Sequence, residues 1–352
     1  MRKLNVGIIG TGTIACAHLD SYSRNPSAEV TMICDTNEEL AKSRAAQYNI
    51  ARFCTDVDIL LADPSIDAVS ICTPTFTHKD LVLKALKAGK HVLCEKPPAL
   101  RPEDVDQCDQ AAKDAGKLLM YGFVCRFKDE VQFLKEQIDA GVLGDIYYAE
   151  AMRVVRCFRI GGWFVDKEKS GGGQLIDGAI HELDEVLYLM NYPKIKSVSG
   201  FTTQQCGDLP DQIRGVAQGW NSSDKKRYDR TVESMAAALV KFENGACLHI
   251  KASFVLNTVN PTRKVELCGT KGGAEDSAAG VRMVKLTDNN FYEESNIVLT
   301  AKPSIFDREI NHFVDCAQNG TPCIIQPWQG KEVIKLITAI YESAETGKEV
   351  LF

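Results

Sequence analysis

Apolar positions follow two periodicities along this chain. Over the first third, short β-rich runs at Leu4 to Ile9, Val30 to Cys34, Ala68 to Cys72, His91 to Cys94 and Leu118 to Tyr121 alternate with segments of helical spacing after Gly12, Asn37, Thr77 and Pro102. That alternation predicts a parallel sheet covered by helices on both faces, an α/β doubly wound Rossmann domain over residues 1–122. Thr77, Pro102 and the acidic pair Glu103-Asp104 suit helix starts.

From about residue 123 the pattern changes. One helical segment, Phe127 to Ala140, is followed by long β-rich runs at Ile146 to Val155, Val232 to Phe242 and Ala246 to Val255. The last two are joined by Glu243-Asn244-Gly245, and Asn-Gly supplies the positive φ angles of a tight hairpin. Residues 123–352 therefore read as an α+β domain built on a large, mostly antiparallel open sheet. Helical stretches at Ser304 to Gln318 and Gln329 to Glu345, with stops at Gly320 and Gly347, are free to pack back on the first domain. The polar stretch between Thr203 and Thr231 is too long for an ordinary connection and reads as a substrate lid or subunit contact anchored by Trp220.

Length supports the division, since 352 residues exceed what one hydrophobic core usually serves. Charge narrows the partners: 41 Lys plus Arg against 47 Asp plus Glu, with no basic cluster, excludes a nucleic-acid surface. The 13 cysteines are odd in number and scattered, and none stand as C-x-x-C. They read as reduced packing residues in a cytoplasmic protein, with Cys34, Cys72 and Cys94 closing apolar runs. Asn5 and the nearby glycines break the N-terminal apolar stretch, so neither a signal peptide nor a membrane anchor is expected.

The chemistry begins at Gly10-Thr11-Gly12-Thr13-Ile14-Ala15, a G-x-G-x-x-A turn between a strand and a helix. Gly10 allows the tight turn, Gly12 lets the backbone approach a pyrophosphate, and Ala15 lets helix and sheet pack closely. The phosphates then face the helix N-terminus at Thr13 and Ile14, where free N–H groups and the helix dipole favour an anion. The next strand ends at Asp35, placed to accept hydrogen bonds from a ribose and to repel the extra phosphate of NADP. NAD is thus favoured over NADP, with Arg44 the residue that would accommodate a phosphate.

Cys72-Thr73-Pro74-Thr75-Phe76-Thr77-His78, Cys94-Glu95-Lys96-Pro97 and the glycine-rich Gly171-Gly172-Gly173-Gln174-Leu175-Ile176-Asp177-Gly178-Ala179-Ile180-His181 follow in order. Together with the glycine turn they resemble the glucose-fructose oxidoreductase, inositol dehydrogenase and rhizopine-catabolism family, Gfo/Idh/MocA. The resemblance covers roughly the first half of the chain. It implies cofactor contacts at Thr73, Pro74, His78, Glu95 and Lys96, a Lys-Pro bond that is often cis, and a Lys96 that touches both nicotinamide and the reacting hydroxyl. On the helix near Asp177, the residues Asp177, His181 and Asp184 share one face while Ile180, Leu183, Leu187 and Met190 share another.

Imidazole titrates near neutrality, so His181 suits proton abstraction as hydride leaves carbon, with Asp177 orienting it or the substrate. Lys96, Asp177 and His181 form the expected catalytic set, and Arg126 and Trp163 are added as substrate contacts. Arg126 departs from the family pattern in following Cys125. His181-Glu182 lacks the second histidine of a zinc motif, so no metal is assigned. The expectation is an NAD-dependent homodimer or homotetramer that oxidises a ring alcohol of a sugar, glycoside or cyclic polyol. Two alternatives share the fold: glycoside cleavage through transient oxidation, and a non-catalytic sugar or dinucleotide sensor.

Overall fold

The computed structural model describes residues 2–156, 161–205, 229–287, 291–299 and 303–352, and residues 158–159 and 217–218 as strand backbone. The chain divides into two compact units, residues 1–127 with 303–331 and residues 128–302 with 332–352. The division is discontinuous in sequence: the helix Ile305–Asn319 belongs to the first unit, and the helix Pro327–Thr346 begins in the first and ends in the second.

In the first unit, strands β1 (Leu4–Ile9), β2 (Ala28–Cys34), β3 (Phe53–Cys54), β4 (Ala68–Ile71), β5 (His91–Glu95) and β6 (Leu119–Gly122) form one parallel sheet in the order β3-β2-β1-β4-β5-β6. Helices α1 (Thr13–Arg24), α2 (Glu38–Gln47), α3 (Val57–Ala62), α4 (His78–Lys87) and α5 (Pro102–Ala115) connect them. Val6, Ile8, Ile33, Val69, Ile71, Val92 and Leu93 are fully buried, as strands covered on both faces require. Cys34, Cys72 and Cys94 are buried free thiols. The strand order reverses direction between β1 and β4, so the loops leaving β1, β4 and β5 at their carboxyl ends surround the position where open α/β sheets bind ligands.

The second unit opens with α6 (Asp129–Asp139) and continues through β7 (Ile146–Val154), β8 (Phe158–Arg159), α7 (Lys167–Ser170), α8 (Gln174–Asp177), α9 (Ile180–Leu189), β9 (Ile195–Thr203), β10 (Ala217–Gln218), β11 (Met235–Phe242), β12 (Cys247–Ser253), β13 (Thr262–Gly269), β14 (Gly272–Ser277), β15 (Gly280–Leu286), β16 (Tyr292–Ile297) and β17 (Val350–Leu351). Nine of these strands form a sheet in the order β16-β15-β14-β13-β7-β12-β11-β9-β17, in which β7 and β12 are the parallel neighbours and every other pairing is antiparallel. The Asn244-Gly245 hairpin joins β11 to β12, with Gly245 at φ +88°. Helix α9 packs on β7 and β13, on the face that buries Ala149, Ala151, Val265 and Leu267. The opposite face leaves Phe201 and Leu239 exposed. Trp220 and the rest of the expected lid, residues 206–216 and 219–228, lie outside the described residues.

Candidate active site

The glycine turn has the geometry its sequence implies. Gly10 sits at φ +86°, and a Cβ there would come 2.7 Å from the Cys72 carbonyl oxygen, so both backbone and space demand glycine. A Cβ on Gly12 would meet nothing within 4 Å, which leaves the approach to α1 open. Gly12 caps α1 without a side-chain hydrogen bond, so the first-turn N–H groups, including those of Thr13 and Ile14, face outward for an anion.

Asp35 closes β2 and holds this turn directly. One carboxylate oxygen accepts from the Thr11 N–H and hydroxyl, both at 2.8 Å, and the other accepts from the Asn37 N–H at 2.9 Å. A carboxylate oxygen has more than one acceptor site, so the same group can serve a ribose while fixing the loop beneath it. The Arg44 guanidinium also lies against the turn, with Nε donating to the Thr11 carbonyl at 3.3 Å and Nη1 to Gln47 at 2.7 Å.

The Thr73-Pro74 and Lys96-Pro97 loops are tied together by His78. Its Nε2 lies 2.8 Å from the Thr73 carbonyl and its Nδ1 2.7 Å from the Pro97 carbonyl. Burial lowers the pKa of this ring, and the two carbonyls pull the other way. Two acceptor contacts would each be satisfied only by the doubly protonated ring, so hydrogen bonding resists the neutralisation that burial favours. His78 is 1% exposed and clamps the two loops together. The Thr73 hydroxyl engages the Thr77 hydroxyl at 2.7 Å. The Lys96-Pro97 bond is cis, Glu95 is buried, and Lys96 is partly exposed. One Glu95 oxygen accepts the Lys96 N–H at 3.2 Å, and the other lies 2.9 Å from Nε2 of buried His18.

Arg126 is 0% exposed, its Nη1 donates to the Ile324 carbonyl at 2.9 Å and to Gln329 Oε1 at 2.6 Å, and its guanidinium lies over the Phe123 ring. An arginine so enclosed fixes the 324–329 segment.

In the second unit the glycine-rich segment shapes the start of a buried helix. A Cβ on Gly172, which has φ +155°, would stand 2.0 Å from the Tyr341 hydroxyl, and one on Gly173 would stand 2.4 Å from the Glu233 carbonyl oxygen. The Glu233 carboxylate accepts from Gly173 N–H at 2.7 Å, Leu175 N–H at 3.2 Å and the Tyr341 hydroxyl at 3.1 Å. Burial raises the pKa of Glu233 while these donors pull it down. Neither Glu233 nor Tyr341 stands out in the sequence, since each lies far along the chain from the turn it supports.

Between Gly172 and Leu187, Asp177, Gly178 and His181 are the residues that are not buried. Asp177 ends α8 and His181 is the second residue of α9, so the polar positions of the motif reach the surface of an otherwise enclosed segment. Asp184, expected on their face, is buried and accepts from the Tyr192 hydroxyl at 3.3 Å. On the other side, Glu182 accepts from Arg153 at 2.7 Å and Arg263 at 2.8 Å, and Glu185 pairs with Lys128 at 3.1 Å. The Glu182 ion pairs and the Glu185–Lys128 contact hold α9 in place. Trp163 is half-buried and stacks on Phe164 with ring centroids 3.9 Å apart, leaving one indole face for another contact.

Such a dinucleotide fold joined to a large mixed sheet defines an NAD-binding oxidoreductase. The family model for the oxidoreductase family with NAD-binding Rossmann fold, GFO_IDH_MocA, matches residues 4–123, and the model for that family's C-terminal alpha/beta domain matches residues 135–352. The chain belongs to the Gfo/Idh/MocA oxidoreductase family. It is 35% identical to D-glucoside 3-dehydrogenase of Escherichia coli, over 99% of this chain and 97% of that protein. It is 27% identical to scyllo-inositol 2-dehydrogenase (NAD(+)) of Bacillus subtilis, over 92% and 89%. A levoglucosan dehydrogenase solved with NADH and levoglucosan shares the fold at TM-score 0.82 and 23% identity, covering 99% of each chain. No helix among the described residues is long and apolar enough to cross a membrane.

Proposed function

We propose that this chain is a dehydrogenase of D-glucosides or closely related neutral pyranosides and cyclic polyols, oxidising a ring secondary alcohol with NAD. The observation that carries the reading is the similarity to the E. coli glucoside dehydrogenase along nearly the full length of both chains. The neutral substrate is supported by the engagement of two of the cations before the glycine-rich turn: Arg156 donates to the Thr258 and Val259 carbonyls, and Lys167 lies over the Tyr341 ring. A phosphorylated sugar would call for such groups to be free.

NAD, when bound, supplies the hydride acceptor. His181 takes the proton of the reacting hydroxyl, because neutral imidazole is a base at physiological pH. The Lys96 ammonium lowers the cost of negative charge growing on the substrate oxygen, and Asp177 orients the substrate or the imidazole. Thr13 and Ile14 N–H groups hold the pyrophosphate and Asp35 the ribose. We further read the protein as a cytoplasmic homo-oligomer. Cys34, Cys72 and Cys94 are free thiols, and Phe201 and Leu239, exposed on the open sheet face, are suited to contact with a second copy.

A screen of NADH formation tests the reading against methyl glucosides, inositols, aldoses, sugar phosphates and amino acids. A glucoside or inositol should be the best substrate. Lys96→Ala and His181→Ala should each lower turnover at least ~100-fold while NADH binding, read by fluorescence, stays within about threefold. Exclusive use of a sugar phosphate, or normal turnover in both variants, refutes it.

A further inference from the structure

Beneath the Lys96 loop lies a buried cluster that the reaction chemistry does not use. His18 on α1, Glu95 at the end of β5 and Glu309 on the helix Ile305–Asn319 bring their ring nitrogen and carboxyl oxygens within 4.8 Å of one another. His18 and Glu309 are 0% exposed. Among the described residues neither Glu309 oxygen has a hydrogen-bond partner. The sheet makes room for the group: a Cβ on Gly122 of β6 would come 3.0 Å from Glu95 Oε1.

We propose that His18 and Glu309 are positioning residues for Lys96: they hold the Glu95 carboxylate, which holds the Lys96 backbone N–H and so fixes the start of the Lys96-Pro97 loop from below. The contacts form a chain, with His18 Nε2 2.9 Å from Glu95 Oε1 and the Lys96 N–H 3.2 Å from Glu95 Oε2. Two carboxylate charges side by side in a buried site repel, which favours a proton on one of them. Burial and the charge of Glu95 push Glu309 well above the carboxylate range, and His18 opposes them only in part. A proton held on Glu309 would give Glu95 a hydroxyl donor, and both lie in the same buried cluster. Burial works against charge on His18, but Cys72 and Glu95 outweigh it and raise its pKa.

The claim that Lys96 matters for turnover rests on the proposed function, so the primary readout is independent of substrate. Amide hydrogen exchange at single-residue resolution is compared across β5 and Lys96. His18→Asn, which removes the contact to Glu95, should speed exchange at Lys96 by about tenfold, the worth of one hydrogen bond, and Glu309→Leu and Glu309→Asp should speed it in the same direction, with Val92 and Leu93 within about twofold. Glu309→Gln, which retains a donor without charge, should keep wild-type protection; the Asp variant serves if Leu prevents folding. Unchanged Lys96 exchange, exchange rising equally along β5, or Gln behaving like Leu overturns the proposal. With methyl glucoside, the same variants should lose roughly tenfold to a hundredfold in turnover, as a misplaced reacting group does, and lose almost nothing further in a Lys96→Ala background. If the exchange pattern holds while Lys96→Ala turns over normally, the positioning stands and the catalytic reading of Lys96 fails.

Discussion

Arg126 separates a structural from a substrate-binding reading. Replacing it with methionine preserves much of the side-chain volume but removes the donors to the Ile324 carbonyl and Gln329 Oε1, both within a fully buried site. Hydrogen bonds from a charged group contribute about 1.5–3 kcal/mol each. The variant also avoids burying a guanidinium, which returns part of that loss. A net destabilisation of about 3 kcal/mol is the central expectation, and for a unit of this size each kcal/mol moves Tm by about 2–4 °C. Arg126→Met should therefore lower the melting temperature by roughly 6–12 °C, with KM for the substrate within about twofold at a temperature where the variant is folded. Differential scanning fluorimetry and steady-state NADH formation measure the two quantities. An unchanged melting temperature with KM raised ~tenfold or more would restore Arg126 as a substrate ligand and refute the structural assignment.

Three further outcomes are expected. By titration calorimetry, NAD should bind more tightly than NADP, and Asp35→Asn should narrow the gap because the repelling charge is gone; tighter NADP binding by the unmodified protein would contradict the role of Asp35. Burial raises the Glu185 pKa to about 8, against the opposing pull of Lys128. The folded state thus holds a proton that the unfolded chain releases near the ordinary glutamate value, so this group's stabilisation is complete at low pH and is lost as pH rises through about 8. Denaturation across pH 5 to 9 should show that decline, and Glu185→Gln should flatten it; an identical slope in the variant would exclude Glu185 as its source. Gly172→Ala, which places a Cβ 2.0 Å from the Tyr341 hydroxyl, should unfold the second unit at a lower temperature by several degrees, with Tyr341→Phe milder and partly relieving the alanine clash.

Much of the first unit was legible because its signals are local. A glycine turn, a strand and an acidic residue about twenty positions on each act through near neighbours in the chain, and the structure places Gly10, Gly12 and Asp35 in one loop system. Strand β3 and helix α3 escaped because two and six residues are too short for a period to register. Asp177 and His181 were found through their motif, and the helical spacing correctly set them apart from Leu183 and Leu187. That spacing failed for Asp184, which it set beside Asp177 and His181 but which is buried against Tyr192, and it gave no reading of Glu182 and Glu185, which meet Arg153, Arg263 and Lys128 from remote strands and the residue before α6. Burial of charge depends on partners that periodicity cannot see. The same limit explains Arg126, whose acceptors lie almost 200 positions away, and the Glu233–Tyr341 support of the glycine-rich turn. Motifs in this chain thus name the residues proposed to meet ligand, whereas the residues that hold them come from distant segments and carry no motif. His18 and Glu309 belong to that second kind, and their exchange behaviour at Lys96 would show whether such support sets the position of a reacting group or merely its stability.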